Sequence, residues 1–342
     1  MNFTKRAIEI IENDSKQDTF SGAICIVENN EVAAEGYGFA NRSEKINNTA
    51  TTRFGMASGC KVFTAVAICQ LAEQGRLSFE TRLKDCLSIT FPHFDPEITI
   101  HHLLTHSSGI PDYFDEEVMD DFEQLWETVP MYRIQEPKDF LPLFQHGEMK
   151  FRPGEKFSYS NAGYILLGLI VEQVSGRSFT TYVENNIFRR CGMNDSGYFR
   201  MDQLPERTAF GYIEQGESWR TNIYSLPVQG GPDGGAFTTV LDMKTFWDAL
   251  FSNQLLSPQN TDKLLSPLIQ VNERTYYGYG VWMLGFEGRI RKHFVMGSDP
   301  GVSLQSSVYK DRKLQVHLIG NVGGRAHSLS RVLDEMLFSE SD

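Results

Sequence analysis

Apolar and polar positions change period several times along the chain, and each change marks an element. The first stretch, Met1 to Glu12, mixes apolar residues with Lys5, Arg6, Glu9 and Glu12. That mixture predicts an amphipathic surface helix. Glu9 and Glu12 break what would be the apolar core of a secretory signal, and no small-residue cleavage site follows. Residues 20–40 carry short apolar runs, Ala23–Val27 and Val32–Ala34, around Glu28-Asn29-Asn30-Glu31, the pattern of a two-stranded hairpin. Residues 58–74 read as a helix, with Ser58 at its start and Gly75 just past its end. From about 98 to 200 the pattern is helical with loops, most clearly at Ile100–His106 and Ala162–Val174. After Gly230 short strands punctuated by glycine return, and the chain closes with a helix at Leu329–Phe338. Strand-rich ends around a helical middle predict an α+β fold, with one sheet built from both termini, packed by helices and interrupted by a helical insertion.

Composition narrows the function. Of 342 residues, 41% are hydrophobic and 22% are charged, ordinary fractions for a protein with a large buried core. The formal net charge of −12 disfavours nucleic acid and anionic membranes as partners. No run of eighteen or more apolar residues occurs, so no membrane span is expected. The five cysteines, Cys25, Cys60, Cys69, Cys86 and Cys191, are odd in number and lack paired spacing. They fit reduced thiols and a cytoplasmic location.

Two constellations can carry chemistry. In Ser58-Gly59-Cys60-Lys61 the serine and lysine lie one helical turn apart, and Val62–Cys69 behind them is apolar except for Thr64. A hydroxyl is a weak nucleophile and needs a base beside it. A buried lysine near a positive helix terminus has its charged form disfavoured by desolvation and by the dipole, which suits it to accept a proton. The Ser58 N–H, at a helix start, is a candidate oxyanion donor. The competing reading makes Ser58 an N-cap and lets Lys61 reach solvent. The second constellation is Tyr159-Ser160-Asn161 before the helix at 162. Asn161 fits an N-cap, and Tyr159, with a cationic neighbour, could titrate below its ordinary value and act as general base.

Ser58-x-x-Lys61 and Tyr159-x-Asn161 resemble the first two active-site motifs of the serine β-lactamase and penicillin-binding protein family, in its class C branch. Ile100-His101-His102-Leu103-Leu104-Thr105-His106-Ser107-Ser108-Gly109-Ile110-Pro111 resembles a segment found across that branch. So do Gly234–Thr239 with Asp242-Met243, and Tyr277-Gly278-Tyr279-Gly280-Val281-Trp282. The likeness runs from about Gly22 to the carboxyl end. It implies a single β-lactamase/transpeptidase-like catalytic domain over 1–342. An antiparallel sheet would come from about 1–85 and 225–342, and the helical part from about 86–224. It also implies a serine hydrolase that forms an acyl-enzyme on Ser58, with Lys61 and Tyr159 relaying its proton and Asn161 holding Lys61 and the substrate. No cofactor or metal is implied.

The third motif departs from the family pattern. Lys-Thr-Gly or His-x-Gly is expected upstream of a Pro-Gly pair, but alignment on Pro300-Gly301 gives Val295-Met296-Gly297-Ser298. Cation and hydroxyl are both missing. Gly297 remains and would let substrate lie close to the strand, and the Ser298 N–H would be the second oxyanion donor. His293, two residues upstream, could partly replace the charge, or it could be an exposed strand residue. The resemblance leaves esters, β-lactams and D-peptides open as substrates, and the lost cation also fits a penicillin-binding sensor with little turnover. Without that cation, neutral acyl esters are expected to be better substrates than anionic β-lactams. Two other signals are weaker. His102 and His106 have a metal-compatible spacing but no glutamate between them in the usual position. No Gly-x-Ser-x-Gly elbow or phosphate loop occurs.

Overall fold

The computed structural model describes residues 2–16 and 20–339, so Met1 of the amino-terminal stretch lies outside the described residues. Helix α1 (Phe3–Ser15) is capped by Asn2, whose side chain accepts the Lys5 N–H at 3.1 Å. It is amphipathic as expected, burying Ala7 and Ile11. Strands β1 (Gly22–Glu28) and β2 (Glu31–Tyr37) form the hairpin. Its tip holds Asn29 and Asn30 at φ 52° and 71°. Asparagine tolerates that left-handed region better than most side chains, and two such residues match the twist of a tight hairpin.

Helix α2 (Lys61–Glu73) begins one turn later than the sequence predicts, because Ala57–Cys60 forms a 3₁₀ turn ahead of it. Every residue from Lys61 to Leu71 is buried, as its unbroken apolar pattern demands. In the middle of the chain, helix α3 covers Ile100–Leu104 and helix α4 covers Asn161–Ser175. Between them the chain is mostly loop and short turns, although Tyr113, Trp126, Ile134, Phe140 and Phe144 are buried. Their apolar spacing follows no helical period because loop packing, rather than one helix face, buries them. A small hairpin pairs Tyr212–Gln215 with Ser218–Thr221.

The carboxyl-terminal part supplies helix α5 (Val240–Phe251) and six strands. These are β3 (Ile269–Gln270), β4 (Thr275–Tyr277), β5 (Trp282–Phe286), β6 (Arg289–Asp299), β7 (Val302–Tyr309) and β8 (Leu314–Gly320). Helix α6 (Arg325–Ser339) follows and starts one turn earlier than its apolar pattern suggests. All eight strands form one antiparallel sheet in the order β2-β1-β8-β7-β6-β5-β4-β3. The two ends of the chain meet within it, one strand in from the β2 edge, where β1 pairs with β8 from Gly22↔Gly320 to Glu28↔Leu314.

Strand period sorts the core into two layers. Ala23, Cys25 and Val27 of β1 face the large core around α2, α4 and α5. Ile24 and Ile26 face the smaller core closed by Ala7 and Ile11 of α1 and Leu329 and Leu333 of α6. A strand buried on both faces reads as a continuous apolar run, which is what Ala23–Val27 does. All five cysteines are free thiols, four of them buried. Among the described residues no helix is long and apolar enough to cross a membrane.

Candidate active site

Ser58 sits in the 3₁₀ turn between a core residue, Met56, and the first residue of α2. Ala57 before it takes φ 46°, a left-handed value that costs a non-glycine residue about 1 kcal/mol or more. The surrounding structure holds that strain and fixes the direction of the Ser58 side chain. Lys61 is 2% exposed, so it does not reach solvent. Its Nζ lies 2.9 Å from Ser58 Oγ, 2.8 Å from Asn161 Oδ1 and 2.6 Å from the Asp233 carbonyl. No carboxylate forms an ion pair with Lys61 among the described residues.

Asn161 reaches Lys61 because it is not the cap of α4. Ser160 is, its hydroxyl accepting the Gly163 N–H at 3.1 Å. Asp112 takes the first two amides of the helix, accepting from Asn161 N at 2.7 Å and Ala162 N at 2.8 Å. The Asn161 side chain is thereby free for Lys61, and its Nδ2 donates to the Phe114 carbonyl at 3.3 Å. Burial pushes the Asp112 carboxyl up to about 7, against the lowering effect of those amides and of Lys61.

Tyr159 is fixed by His106. The His106 carbonyl accepts the Ser158 N–H at 2.9 Å, and its ring Nδ1 accepts the Ser160 N–H at 3.0 Å. Nδ1 is therefore the bare nitrogen, and Nε2–H faces the Tyr277 hydroxyl at 3.2 Å. Burial and the nearby Lys61 hold this imidazole well below its ordinary pKa, so it stays neutral. The ring lies 4.3 Å from the Tyr159 ring, centroid to centroid. Lys61 Nζ is 4.8 Å from the Tyr159 ring centroid, and Ser58 lies near enough to the phenol to favour its ionised form. The expectation that Tyr159 titrates below its ordinary value is corrected here. Burial, with Glu116, Asp233 and Asp112 nearby, raises it well above that value despite the effect of Ser58. Tyr159 is therefore a protonated phenol.

Strand β6 passes beside the Ser58 turn. Its residues pair with β5 only as far as Phe294, so Val295–Asp299 pair with β7 alone and leave the other edge open. A Cβ on Gly297 would stand 2.2 Å from the Met56 carbonyl oxygen, 2.7 Å from Gly59 N and 2.9 Å from Ser58 N. Gly297 thus serves the close approach of strand and nucleophile turn, in addition to any approach of substrate. Val295 is 1% exposed and packs in the core, and Met296 is half-buried. Ser298 is exposed and lines a cleft together with Ser58 and Asn161.

His293 does not supply the missing charge. Its Nε2 contacts the Leu265 carbonyl at 3.2 Å and its ring packs edge-on to Phe251. Burial lowers it to about 4, so it is neutral at physiological pH and is absent from the cleft lining. It is not the exposed strand residue of the competing reading either. His102 and His106 share no helix face. His102 Nδ1 accepts the Thr99 N–H at the start of α3, whereas His106 lies beyond that helix at φ 55°.

Three acidic residues of the site escaped the sequence reading. Asp112 adjoins the Ile100–Pro111 segment and meets α4 about fifty residues later in the chain. Asp233 immediately precedes Gly234-Gly235 and contributes its carbonyl to Lys61, while its carboxylate accepts the Tyr113 hydroxyl. Asp299 follows Ser298 on the open edge of β6 and lines the cleft. Only their places beside recognised motifs could have drawn attention to them.

This arrangement has known relatives. A family model described as Beta-lactamase matches residues 7–292. The chain belongs to the beta-lactamase family. A penicillin-binding protein of Bacillus subtilis strain 168 is 30% identical over 339 residues, covering 93% of this chain and 72% of that protein. The crystal structure of a penicillin binding protein from Bacillus halodurans is 51% identical, with a TM-score of 0.91 over 96% of this chain and 99% of that one. The octameric penicillin-binding protein homologue from Pyrococcus abyssi gives 0.84 at 26% identity, over 98% of this chain and 77% of that one. Beta-lactamase family membership accounts for the large antiparallel sheet and its covering helices, and it makes this a protein of the serine hydrolase type.

Proposed function

We propose that the protein hydrolyses an acyl substrate through a covalent ester on Ser58. The observation that carries this reading is the set of three contacts at Lys61 Nζ. Asn161 Oδ1 and the Asp233 carbonyl are obligate acceptors, so they hold two amine hydrogens. The third position faces Ser58 Oγ at 2.9 Å, and only there can a proton be exchanged.

In acylation, Ser58 Oγ bonds to the substrate carbonyl carbon while its proton passes to Lys61 Nζ. Charge on the carbonyl oxygen develops beside the backbone N–H groups of Ser58 and Ser298. The bond to the leaving group then breaks, and that group takes up a proton through the Tyr159 phenol. Water repeats the sequence, releases the acid and regenerates the Ser58 hydroxyl. Asn161 keeps the amine aligned, and His106 is a positioning residue acting through Tyr159.

The test is the time course of p-nitrophenyl butyrate hydrolysis on the millisecond scale. If release of the acid is slower than acylation, a burst of p-nitrophenolate equal to the enzyme concentration should precede the steady state. Ser58→Ala should show neither phase. Undiminished hydrolysis by that variant would remove Ser58 from the mechanism.

A further inference from the structure

His327 lies in the first turn of α6, thirty residues after Gly297 in the chain. Its ring Nε2 stands 3.1 Å from the Gly297 carbonyl oxygen and 2.9 Å from the Leu304 carbonyl oxygen. Gly297 and Leu304 are partners across β6 and β7, so one imidazole reaches both strands at the same rung. Both neighbours are obligate acceptors, which places the ring hydrogen on Nε2. Burial lowers the imidazole below its ordinary value against the raising effect of the two carbonyls, and the uncharged ring predominates at neutral pH.

The helix that carries this ring is anchored independently of it. The Ser303 hydroxyl of β7 donates to the Val322 carbonyl at 2.9 Å and accepts the Ala326 N–H at 3.3 Å, which pins the start of α6 to the sheet. Ala326, Leu329 and Leu333 are buried in the smaller core, and Arg325 is ion-paired with Asp14 of α1. What the His327 contact adds lies on the other side of one peptide bond. The Gly297 carbonyl and the Ser298 N–H belong to the same planar trans unit and point in opposite directions. His327 lies on the carbonyl side, so the N–H points the other way. Ser298 lines the cleft, in the part of β6 that β5 leaves open beyond Phe294. A Cβ on Gly297 would stand 2.9 Å from Ser58 N, so the two backbone donors are neighbours. A hydrogen bond to an amide carbonyl also polarises the amide and strengthens its N–H as a donor, by about 10–30%.

We infer that His327 is a positioning residue of the oxyanion site: its Nε2–H orients and polarises the Gly297–Ser298 peptide, so that the Ser298 N–H meets the charge developing on the substrate carbonyl oxygen. His327 touches neither substrate nor Ser58 and exchanges no proton in the reaction. The inference rests on the reading of Ser58 as the acylated nucleophile.

Gly297-Ser298 is the only Gly-Ser pair in the chain, and the experiment uses that fact. Protein labelled with ¹³C at glycine carbonyls and ¹⁵N at serine gives a single HNCO cross-peak, which reports the Gly297 carbonyl and the Ser298 N–H. In His327→Leu, which keeps bulk but has no donor, both the carbonyl carbon and the amide proton should shift upfield. His327→Gln, whose amide N–H reaches as far as the ring Nε2, should return both toward wild type. For p-nitrophenyl butyrate, His327→Leu should lower kcat by about 5- to 50-fold, part of the 10²- to 10³-fold that an oxyanion donor is worth, with KM within about twofold. Butylboronic acid, whose serine adduct is tetrahedral and anionic, should lose affinity by a similar factor, and His327→Gln should recover most of both losses. If His327→Leu does not fold, His327→Asn, whose amide stops short of the Gly297 carbonyl, replaces it with the same expected losses. An unmoved cross-peak, or a kcat within about twofold of wild type, would overturn the inference. So would equal losses in His327→Leu and His327→Gln, or a kcat loss with unchanged boronic acid affinity, because a mere helix anchor would give those results. The two readings fail separately: undiminished hydrolysis by Ser58→Ala overturns the Ser58 reading, whereas an unmoved cross-peak overturns only the role of His327.

Discussion

Ser58→Ala should lower kcat for p-nitrophenyl butyrate by about 10⁴-fold or more, the loss expected when a nucleophile is removed. Lys61→Met, which keeps the volume of the buried side chain, and Tyr159→Phe should each lower it by about 10²- to 10⁴-fold. Lys61 Nζ meets Ser58 Oγ at 2.9 Å and stands 4.8 Å from the Tyr159 ring centroid, so the three side chains act as a unit. Losses within a unit do not add. The double variant Ser58→Ala/Lys61→Met should therefore be no slower than Ser58→Ala within a few-fold. Steady-state ester kinetics on variants with matched circular dichroism spectra check this. Near-normal rates for Lys61→Met or Tyr159→Phe would remove them from proton transfer.

Anionic β-lactams should be much poorer substrates than neutral esters, with kcat/KM for nitrocefin at least about 10²-fold below that for p-nitrophenyl butyrate. Val295 is buried in the core where the family pattern places a cation, and His293 is neutral and turned toward Leu265. The β-lactam carboxylate would instead meet a cleft whose charged lining is Glu116, Asp233 and Asp299. One like-charge pair at about 6 Å costs roughly 3 kcal/mol at an effective dielectric constant of about 20, enough for a hundredfold loss. The sign of the pH dependence follows from Asp299. Its carboxyl is raised to about 7, so it is neutral below that pH and charged above it. The nitrocefin-to-butyrate ratio should accordingly rise as pH falls from 8 to 6, with effects on groups common to both reactions cancelling in the ratio. Nitrocefin turnover exceeding ester turnover would contradict this reading of the cleft.

The legible parts of the sequence were those governed by local periodicity. The hairpin at 22–37, the buried helix after Ser58 and the helix after Tyr159 each carry their own pattern. So did the pairing of Ser58 with Lys61, because one helical turn decides it. Helix starts were displaced by a turn where a 3₁₀ segment intervened at Ala57–Cys60. Long-range contacts were hidden. Nothing local indicates that Asp112 caps a distant helix, that Ser160 rather than Asn161 is the cap, or that His106 clamps Tyr159 from both sides. Protonation was also beyond the sequence, since Tyr159 has a cationic neighbour yet burial and nearby acids raise it. The acidity of the cleft arises only when residues 116, 233 and 299 converge.

The central claim is a covalent acyl-enzyme on Ser58, and acid-quenched intact-mass measurement during turnover of p-nitrophenyl butyrate tests it most directly. The account predicts one butyryl group per chain, mapped to the peptide that contains Ser58 and absent from Ser58→Ala. A butyryl group on another residue, or equal acylation of the Ser58→Ala variant, would contradict it.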